Sequence, residues 1–294
     1  MSKLNKILFI IILGVFSSLV SSDAQSTPAA TSKIKGRIQV ARVEGHVDAI
    51  SNASGQSRVL HDGDLLSDGT TIVTAVGANV ILVFSNGATL NVAADSTLNI
   101  DEFIQDPFAD NIKISDLKAE PGTSTTKLNL TKGELVGKVV HLNVDRGSEF
   151  TVQTPVGAAG VRGTVFKIIF RPGPNGTTIF TVLTSEGRVV LRGVSPTPVD
   201  IPAGSKVVVS FDINNGVVSG PVSVSGATGS ELAQVQVATQ AIVTADATTV
   251  ISNSGAGTSG GGTNGGGTNG GTNGQPPSQP APAPPQPTPG AGDT

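Results

Sequence analysis

The residues of this chain that could do chemistry are three histidines, a short acidic stretch and one isolated arginine. His46, His61 and His141 are the only histidines, and each is far from the next in the sequence. A metal site or an acid–base pair built from them would need distant turns or strands to meet. The chain also lacks an H-E-x-x-H motif, a nucleophile elbow and a phosphate-binding loop. We therefore predict no catalytic residue, no metal site, no cofactor site and no enzymatic activity.

The acidic stretch, H-D-G-D-L-L-S-D-G, brings Asp62, Asp64 and Asp68 together within residues 61–69. Its spacing lacks the regular alternation and the distal glutamate of an EF-hand calcium loop. Asp and Gly are also common turn residues. The sequence thus favours a turn here, with weak Ca²⁺ binding as the alternative hypothesis.

The isolated arginine, Arg162, lies in the stretch Thr151–Phe166, T-V-Q-T-P-V-G-A-A-G-V-R-G-T-V-F. Thr154-Pro155 should end or edge a strand, because Pro cannot donate a hydrogen bond to a sheet. The small residues that follow allow the backbone to bend or to lie close to another segment. We interpret the stretch as a bulged crossing between two strands, with Arg162 bonded to backbone carbonyls or to a carboxylate. The alternative is an arginine poised for an anionic ligand.

Six residues define this crossing as a fold signature: Thr154, Pro155, Gly160, Arg162, Gly163 and Thr164. If Arg162 holds the crossing together, its replacement by Ala leaves buried groups unpaired. The expected loss of stability is about 1–3 kcal/mol.

The two ends of the chain differ in composition from its middle. Met1–Ala24 is typical of a secretory signal, with Lys3 and Lys6 ahead of an apolar core and small residues before the cleavage site. Gly, Thr, Asn and Pro dominate the last 44 residues, from Ile251 to Thr294, which predicts a disordered tail. We expect export to the periplasm or cell envelope, with no stable membrane span after signal cleavage.

The amino-acid composition argues against several classes of function. The net charge is −3, and loss of the signal removes two positive charges and one negative, giving −4. A mildly acidic chain without a basic cluster argues against nucleic acid as a partner. No Cys is present, which excludes disulfides and thiolate chemistry, and no Trp or Tyr is present to form a sugar-binding platform. The ten Phe residues are expected in the core.

The middle of the chain alternates apolar and polar residues between Gly, Asn and Asp punctuation, which predicts an all-β domain. A Gly stands between two alternating runs three times, at Asn86-Gly87, at Gly133 and at Gly187, and we predict a hairpin at each. Stacked hairpins would form a β-sandwich or a short irregular β-solenoid; the sequence does not choose between them.

One helix is predicted near the C-terminus, from Glu231 to about Ala245. Ser230 is the expected N-cap, and Glu231 suits the positive end of the helix dipole. Helical spacing places an apolar face toward the sheet, formed by Leu232, Val235, Ala238, Ile242 and Ala245. The predicted organisation is a signal (1–24), a linker (25–35), a β-domain (36–194), closing strands (195–228), the helix (229–250) and the tail (251–294).

The β-domain resembles the FecR-domain family of bacterial periplasmic proteins. The resemblance covers about 36–194 and rests on the 61–64 turn with Ile72–Thr74, the Asn86-Gly87 hairpin, Ser96–Ile100 and Phe150–Phe166. Signalling members of that family are similar to a three-part device: a cytoplasmic sigma-regulator segment, a membrane helix, and a periplasmic domain that senses an outer-membrane receptor. Here a short signal precedes the β-domain. The resemblance therefore implies an exported, stand-alone FecR-like domain.

From these features we expect a non-enzymatic binding or scaffolding module at the bacterial cell envelope. Its partner would be an envelope protein or polymer, with the tail as a tether or docking segment. The alternative is a periplasmic sensor or regulatory component that contacts a membrane signalling partner.

Overall fold

The structure, a computed structural model, describes residues 32–108, 111–172, 177–212 and 217–251. The predicted signal peptide, most of the predicted linker, the turn at 173–176 and the tail from residue 252 onward lie outside the described residues.

The described chain is mostly β-strand, as predicted, with a single longer helix close to its C-terminal end. In chain order the elements are β1 (Ile34–Lys35), β2 (Ile38–Glu44), β3 (Val47–Ser51), β4 (Ser57–Val59), β5 (Leu65–Leu66), β6 (Thr70–Thr74), β7 (Asn79–Phe84), β8 (Ala88–Val92), β9 (Ser96–Gln105), β10 (Ile112–Lys113), β11 (Ser124–Val139), β12 (Glu149–Thr154), β13 (Gly157–Val161), β14 (Val165–Pro172), β15 (Thr177–Glu186), β16 (Arg188–Arg192), β17 (Val199–Pro202), β18 (Ser205–Asp212), β19 (Val217–Ser219), β20 (Val224–Gly226), α1 (Gly229–Thr248) and β21 (Val250–Ile251). Short 3₁₀ turns span Ile114–Asp116 and Val144–Arg146.

The strands form two large sheets. The first has the order β4-β3-β6-β9-β11-β12-β13-β16-β17, with β1 beside the end of β9. The second has the order β5-β2-β7-β8-β11-β14-β15-β18, with β19 and β20 along its last edge. All neighbours in these sheets are antiparallel except β11 and β12.

The two sheets pack on one shared core. Of the two predicted architectures, the structure is therefore the β-sandwich. Strands of the first sheet, such as β9, alternate buried and half-exposed residues, as a strand with one covered face should. Two aromatic pairs join the sheets edge-to-face: Phe84 with Phe103 at 5.1 Å between ring centroids, and Phe150 with Phe166 at 6.4 Å. Aromatic pairs in this geometry add to the stability gained from burial alone.

Strand β11 belongs to both sheets, because its 16 residues cross from one to the other. Residues up to Lys132 pair with β9, and residues from Gly133 onward pair with β14. Gly133 has φ +106°, and a Cβ there would overlap Ser96. The crossing therefore requires glycine.

Two of the three predicted hairpins are wrong, because the chain changes sheets where a hairpin was predicted. The Asn86-Gly87 hairpin is confirmed, with Val83 opposite Thr89. Gly133, however, lies inside one continuous strand. Gly187 separates β15, which pairs with β14 and β18, from β16, which pairs with β13 and β17. Both glycines mark places where the chain changes sheets.

The helix packs on the outer face of the second sheet. Val235 and Ile242 are buried against Val136, Val165 and Leu183, as the predicted apolar face requires. The predicted N-cap is wrong, because the cap is Thr228 and the helix begins at Gly229. Thr228 and Glu231 form a reciprocal capping box, in which each side chain accepts a hydrogen bond from the other residue's backbone N–H.

The segment around β10 covers the rest of that outer face. The predicted short strand at 112–114 is present as β10, which pairs with β21 just after the helix. Phe108, Ile114 and Ile251 pack on Val83 of β7. Strand β7 is accordingly buried on both faces. The outer face of the first sheet has no such cover among the described residues.

Candidate anion-binding site

The Thr151–Phe166 stretch forms a hairpin followed by a corner. Strands β12 and β13 pair from Thr151 opposite Gly160 to Thr154 opposite Gly157, with Pro155 in the two-residue turn. The Thr154 hydroxyl donates to the Gly157 carbonyl at 2.8 Å. The chain then leaves the first sheet at Arg162 and enters the second at Val165.

Backbone and threonine contacts hold the corner. Thr164 is 2% exposed, and its hydroxyl donates to the Arg188 carbonyl at 3.0 Å and accepts from the Arg162 N–H at 3.2 Å. Its backbone exchanges two hydrogen bonds with Val139. Gly163 has φ +62°, and Gly187 comes so close that a Cβ on Gly187 would lie 2.3 Å from the Gly163 oxygen.

The structure contradicts the predicted role of Arg162 as the tie that holds this crossing. Its side chain is exposed and forms no hydrogen bond or ion pair with any described residue. The prediction failed because the corner satisfies its own polar groups through Thr164 and backbone pairing. Arg162 is therefore left to face solvent.

Arg162 lines two adjoining surface cavities. The larger, about 360 Å³, is lined by His141, Leu142, Asn143, Val144, Asp145, Arg146 and Arg162. The smaller, about 140 Å³, is lined by residues of β12 and β13 together with Val144, Ser148, Arg162 and Arg192. We call the two cavities together the arginine site. It unites Arg146, Arg162 and Arg192, which are separated in sequence and all exposed.

Strand β16 contributes Arg192, whose side chain lies close to Gly160. Arg192 lies opposite Ala158 in the β13–β16 ladder. A Cβ on Gly160 would lie 3.4 Å from an Arg192 guanidinium nitrogen. The Arg192 guanidinium thus lies close to the backbone at Gly160, at a distance that would be ordinary van der Waals contact for a Cβ there.

The loop that carries Arg146 is held by a buried carboxylate, Glu120. Its two oxygens accept from the Asn143 N–H at 2.5 Å and from the Ser124 hydroxyl at 2.6 Å. The Asn143 side chain donates to the Gly122 carbonyl, and the Gly147 N–H closes the 3₁₀ turn on Val144. Because this loop is fixed by hydrogen bonds on several sides, it can present the Arg146 side chain without rearrangement of its backbone.

Charge distinguishes the arginine site from the other cavities. All eight arginines of the chain are described, and four of them pair with carboxylates: Arg42, Arg58, Arg171 and Arg188. Three of the other four line the arginine site and have no carboxylate within 4.0 Å among the described residues. The site also contains Asp145 and Glu149, so its three arginines face two carboxylates.

Two of the carboxylates at or near the site, Glu149 and Asp106, have hydrogen-bond partners of their own. Glu149 accepts a hydrogen bond from the Thr151 hydroxyl at 2.9 Å. The pKa of Asp106 lies below its ordinary value, chiefly because the Thr123 backbone N–H donates to it and, more weakly, because Arg146 is positively charged. Arg146 therefore interacts electrostatically with Asp106 without forming an ion pair.

Cations in three other large cavities are already paired. In the cavity of about 550 Å³ beside β4, Arg58 pairs with Asp64 at 2.6 Å. In that of about 690 Å³ beside β1, Lys35 pairs with Asp68 at 2.8 Å. Between α1 and the second sheet, a groove of about 520 Å³ contains the pair of Lys167 with Glu134 at 2.8 Å.

The acidic stretch is a turn, as predicted, and its carboxylates have partners. Asp62 accepts from the Val43 N–H at 2.6 Å and so covers the edge of β2. The pKa of Asp64 is lowered, first by the His61 backbone N–H and then by Arg58. In the described part of the chain, no group of three or more His, Asp or Glu side chains is placed to hold a metal ion.

The histidines lie on different elements. His46 is between β2 and β3, where its ring contacts Asp48 at 3.1 Å. His61 is in the acidic turn, and His141 lines the arginine site. None of the helices in the described ranges combines the length and apolar character needed to span a bilayer.

Fold and site together define an all-β, two-sheet domain with a cationic surface site. Residues 70–190 match the family model described as FecR protein. This match runs from β6 into β16 and contains the hairpin, the corner and two of the three arginines. The matched family is the one that the resemblance in sequence indicated.

Other similarities are weaker. No curated protein matches the chain. Two crystal structures of a proposed anti-sigma factor from Parabacteroides distasonis ATCC 8503, at 1.65 and 2.50 Å resolution, align with 12% identity and a TM-score of 0.38. Each alignment covers 55% of this chain and 62% of that chain, so the chain spans less than two thirds of their length. A similarity of this size does not bear on what the chain binds.

Proposed function

We propose that this chain is an exported, non-enzymatic binding module of the bacterial cell envelope. The observation that carries the proposal is the arginine site on a FecR domain. The site presents three cations, from the 3₁₀ loop, the corner and β16, that the fold does not use for its own ion pairs, whereas the cations of other cavities are paired. Unpaired charges on a rigid surface are available to a partner.

Export is the part of the proposal that depends on Met1–Ala24. Fractionation of cells that make the full chain should place the protein in the periplasmic or envelope fraction. A version without residues 1–24 should stay in the cytoplasm. Recovery of both versions from the cytoplasm would contradict export.

Binding is tested by capture from envelope extract. The full chain and a version ending at Ser252 are immobilised separately, and the retained envelope proteins and polymers are identified. We expect the same specific partner on both if the β-domain carries binding, and on the full chain alone if the tail carries it. Failure of both versions to retain a partner would overturn the proposal.

The alternative function, a sensor for a membrane signalling partner, is favoured by the FecR match itself. The neighbouring genes discriminate between the two functions. Genes for a sigma factor and an outer-membrane receptor next to this one would favour the sensor, and their absence would favour the stand-alone module.

A further inference from the structure

We infer that the arginine site binds a polyanion, a ligand with at least two adjacent anionic groups. This inference rests on the proposed binding function and deepens it by naming the ligand class. Guanidinium groups bind phosphate and carboxylate oxygens through paired hydrogen bonds, and they keep their charge at any physiological pH.

The arrangement of the site argues for more than one anionic group. Arg162 lines both cavities, Arg146 lines only the larger and Arg192 only the smaller. A ligand with one charge can occupy one cavity and meet two arginines. A ligand with adjacent charges can occupy both cavities and meet all three.

The arginine site concentrates positive charge on a chain that is acidic as a whole. The net charge of the chain is −3, yet this surface brings together three arginines without a carboxylate partner. Burying an anion against unpaired guanidinium groups does not break an existing ion pair, so the attraction is not offset by that loss. Phosphate and carboxylate polymers share this chemistry.

Calorimetric titration of the full chain at one fixed ionic strength tests the inference. The probes are tripolyphosphate, citrate and orthophosphate. We expect tripolyphosphate or citrate to bind more tightly than orthophosphate, since only the first two can span both cavities. Tighter binding of tripolyphosphate indicates a phosphate polymer as the natural source, and tighter binding of citrate indicates a carboxylate polymer. Absence of binding by both overturns the inference.

A matched pair of variants locates the binding. Arg162→Ala should weaken binding of the tighter probe roughly tenfold or more, the equivalent of one charge-assisted hydrogen bond. Arg188→Ala removes the same charge from the strand that carries Arg192, but Arg188 pairs with Asp200 at 3.2 Å. Affinity should therefore be unchanged in Arg188→Ala. Equal weakening in both variants would show that the probe is attracted by the overall charge of the protein and would overturn the inference.

Failure of this inference is distinguishable from failure of the proposed function. If Arg146→Ala, Arg162→Ala and Arg192→Ala together leave capture from envelope extract unchanged, the module binds through another surface and the inference is wrong. If tripolyphosphate or citrate binds at the arginines but no envelope partner is retained, the site is correct and the proposed function is wrong.

Discussion

Asp246 of α1 reaches the second sheet and forms an ion pair with Lys138 at 2.6 Å. Its other oxygen accepts a hydrogen bond from the Thr89 hydroxyl at 2.6 Å. Lys138 and Thr89 are direct partners in the β8–β11 ladder, so one carboxylate joins the helix to two neighbouring strands. Asp246 is 2% exposed, and the pair therefore belongs to the packed interface.

Replacing Asp246 with Ala should weaken helix docking. Lys138 and the buried Thr89 hydroxyl would lose their partner, at an expected cost of about 1–3 kcal/mol in the free energy of unfolding. Urea unfolding of the purified variant measures this cost.

The matched control for this prediction is Glu102→Ala. Glu102 pairs with Lys127 at 2.7 Å, but both side chains are at least a third exposed. An exposed pair contributes less than about 1 kcal/mol. Equal losses in Glu102→Ala and Asp246→Ala would show that burial of the helix pair adds nothing.

Glu231 makes stability depend on pH at the start of the helix. The Lys206 ammonium, then the Thr228 backbone N–H and hydroxyl, lower the pKa of Glu231 from 4.5 to about 2. A pKa that is lower in the folded protein contributes stability that is fully present above the unfolded value. This contribution should be lost as the pH falls from 4.5 to about 2.

Glu231→Gln tests this dependence, because Gln can keep the capping hydrogen bonds but does not titrate. Wild type should be more stable than the variant at neutral pH, and the difference should shrink as the pH falls through the acid range. Urea unfolding across that range gives the difference. A difference that stays constant down to about pH 2.5 would contradict the lowered pKa.

The corner where Gly187 meets Gly163 requires glycine for two separate reasons. Gly187 has φ +75°, and an added Cβ would overlap the Gly163 carbonyl. Gly204 has nearly the same φ, +72°, with open space around it. Gly204→Ala should therefore cost about 1–3 kcal/mol for the strained backbone alone, and Gly187→Ala should cost clearly more. Similar losses in urea unfolding would mean that the corner is not tightly packed.

Local signals in the sequence were enough for parts of the fold. The Asn86-Gly87 hairpin is set by its own short turn, in which Gly87 has φ +89° and donates its N–H to the Phe84 carbonyl at 3.0 Å. The helix face follows from the spacing of Val235 and Ile242. Each of these features depends on neighbours within a few residues.

Features set by distant pairing could not be predicted in the same way. A Gly between two alternating runs looks alike at a hairpin and at a corner between sheets. Gly133 and Gly187 are corners because their flanking strands pair with other strands far along the chain. The sequence offered Arg162 as an alternative anion-binding residue, but it did not indicate Arg146 and Arg192, which join Arg162 only after the corner and the 3₁₀ loop have formed.

The central claim is that Thr164 holds the corner while Arg162 is left free to bind a ligand. The most direct test is urea unfolding of Arg162→Ala beside Thr164→Val, a variant that keeps the shape of Thr164 but loses its hydroxyl. We expect Arg162→Ala to stay within about 0.5 kcal/mol of wild type and Thr164→Val to lose about 1–3 kcal/mol. A loss in Arg162→Ala as large as that in Thr164→Val would contradict the claim and return Arg162 to the structure of the corner.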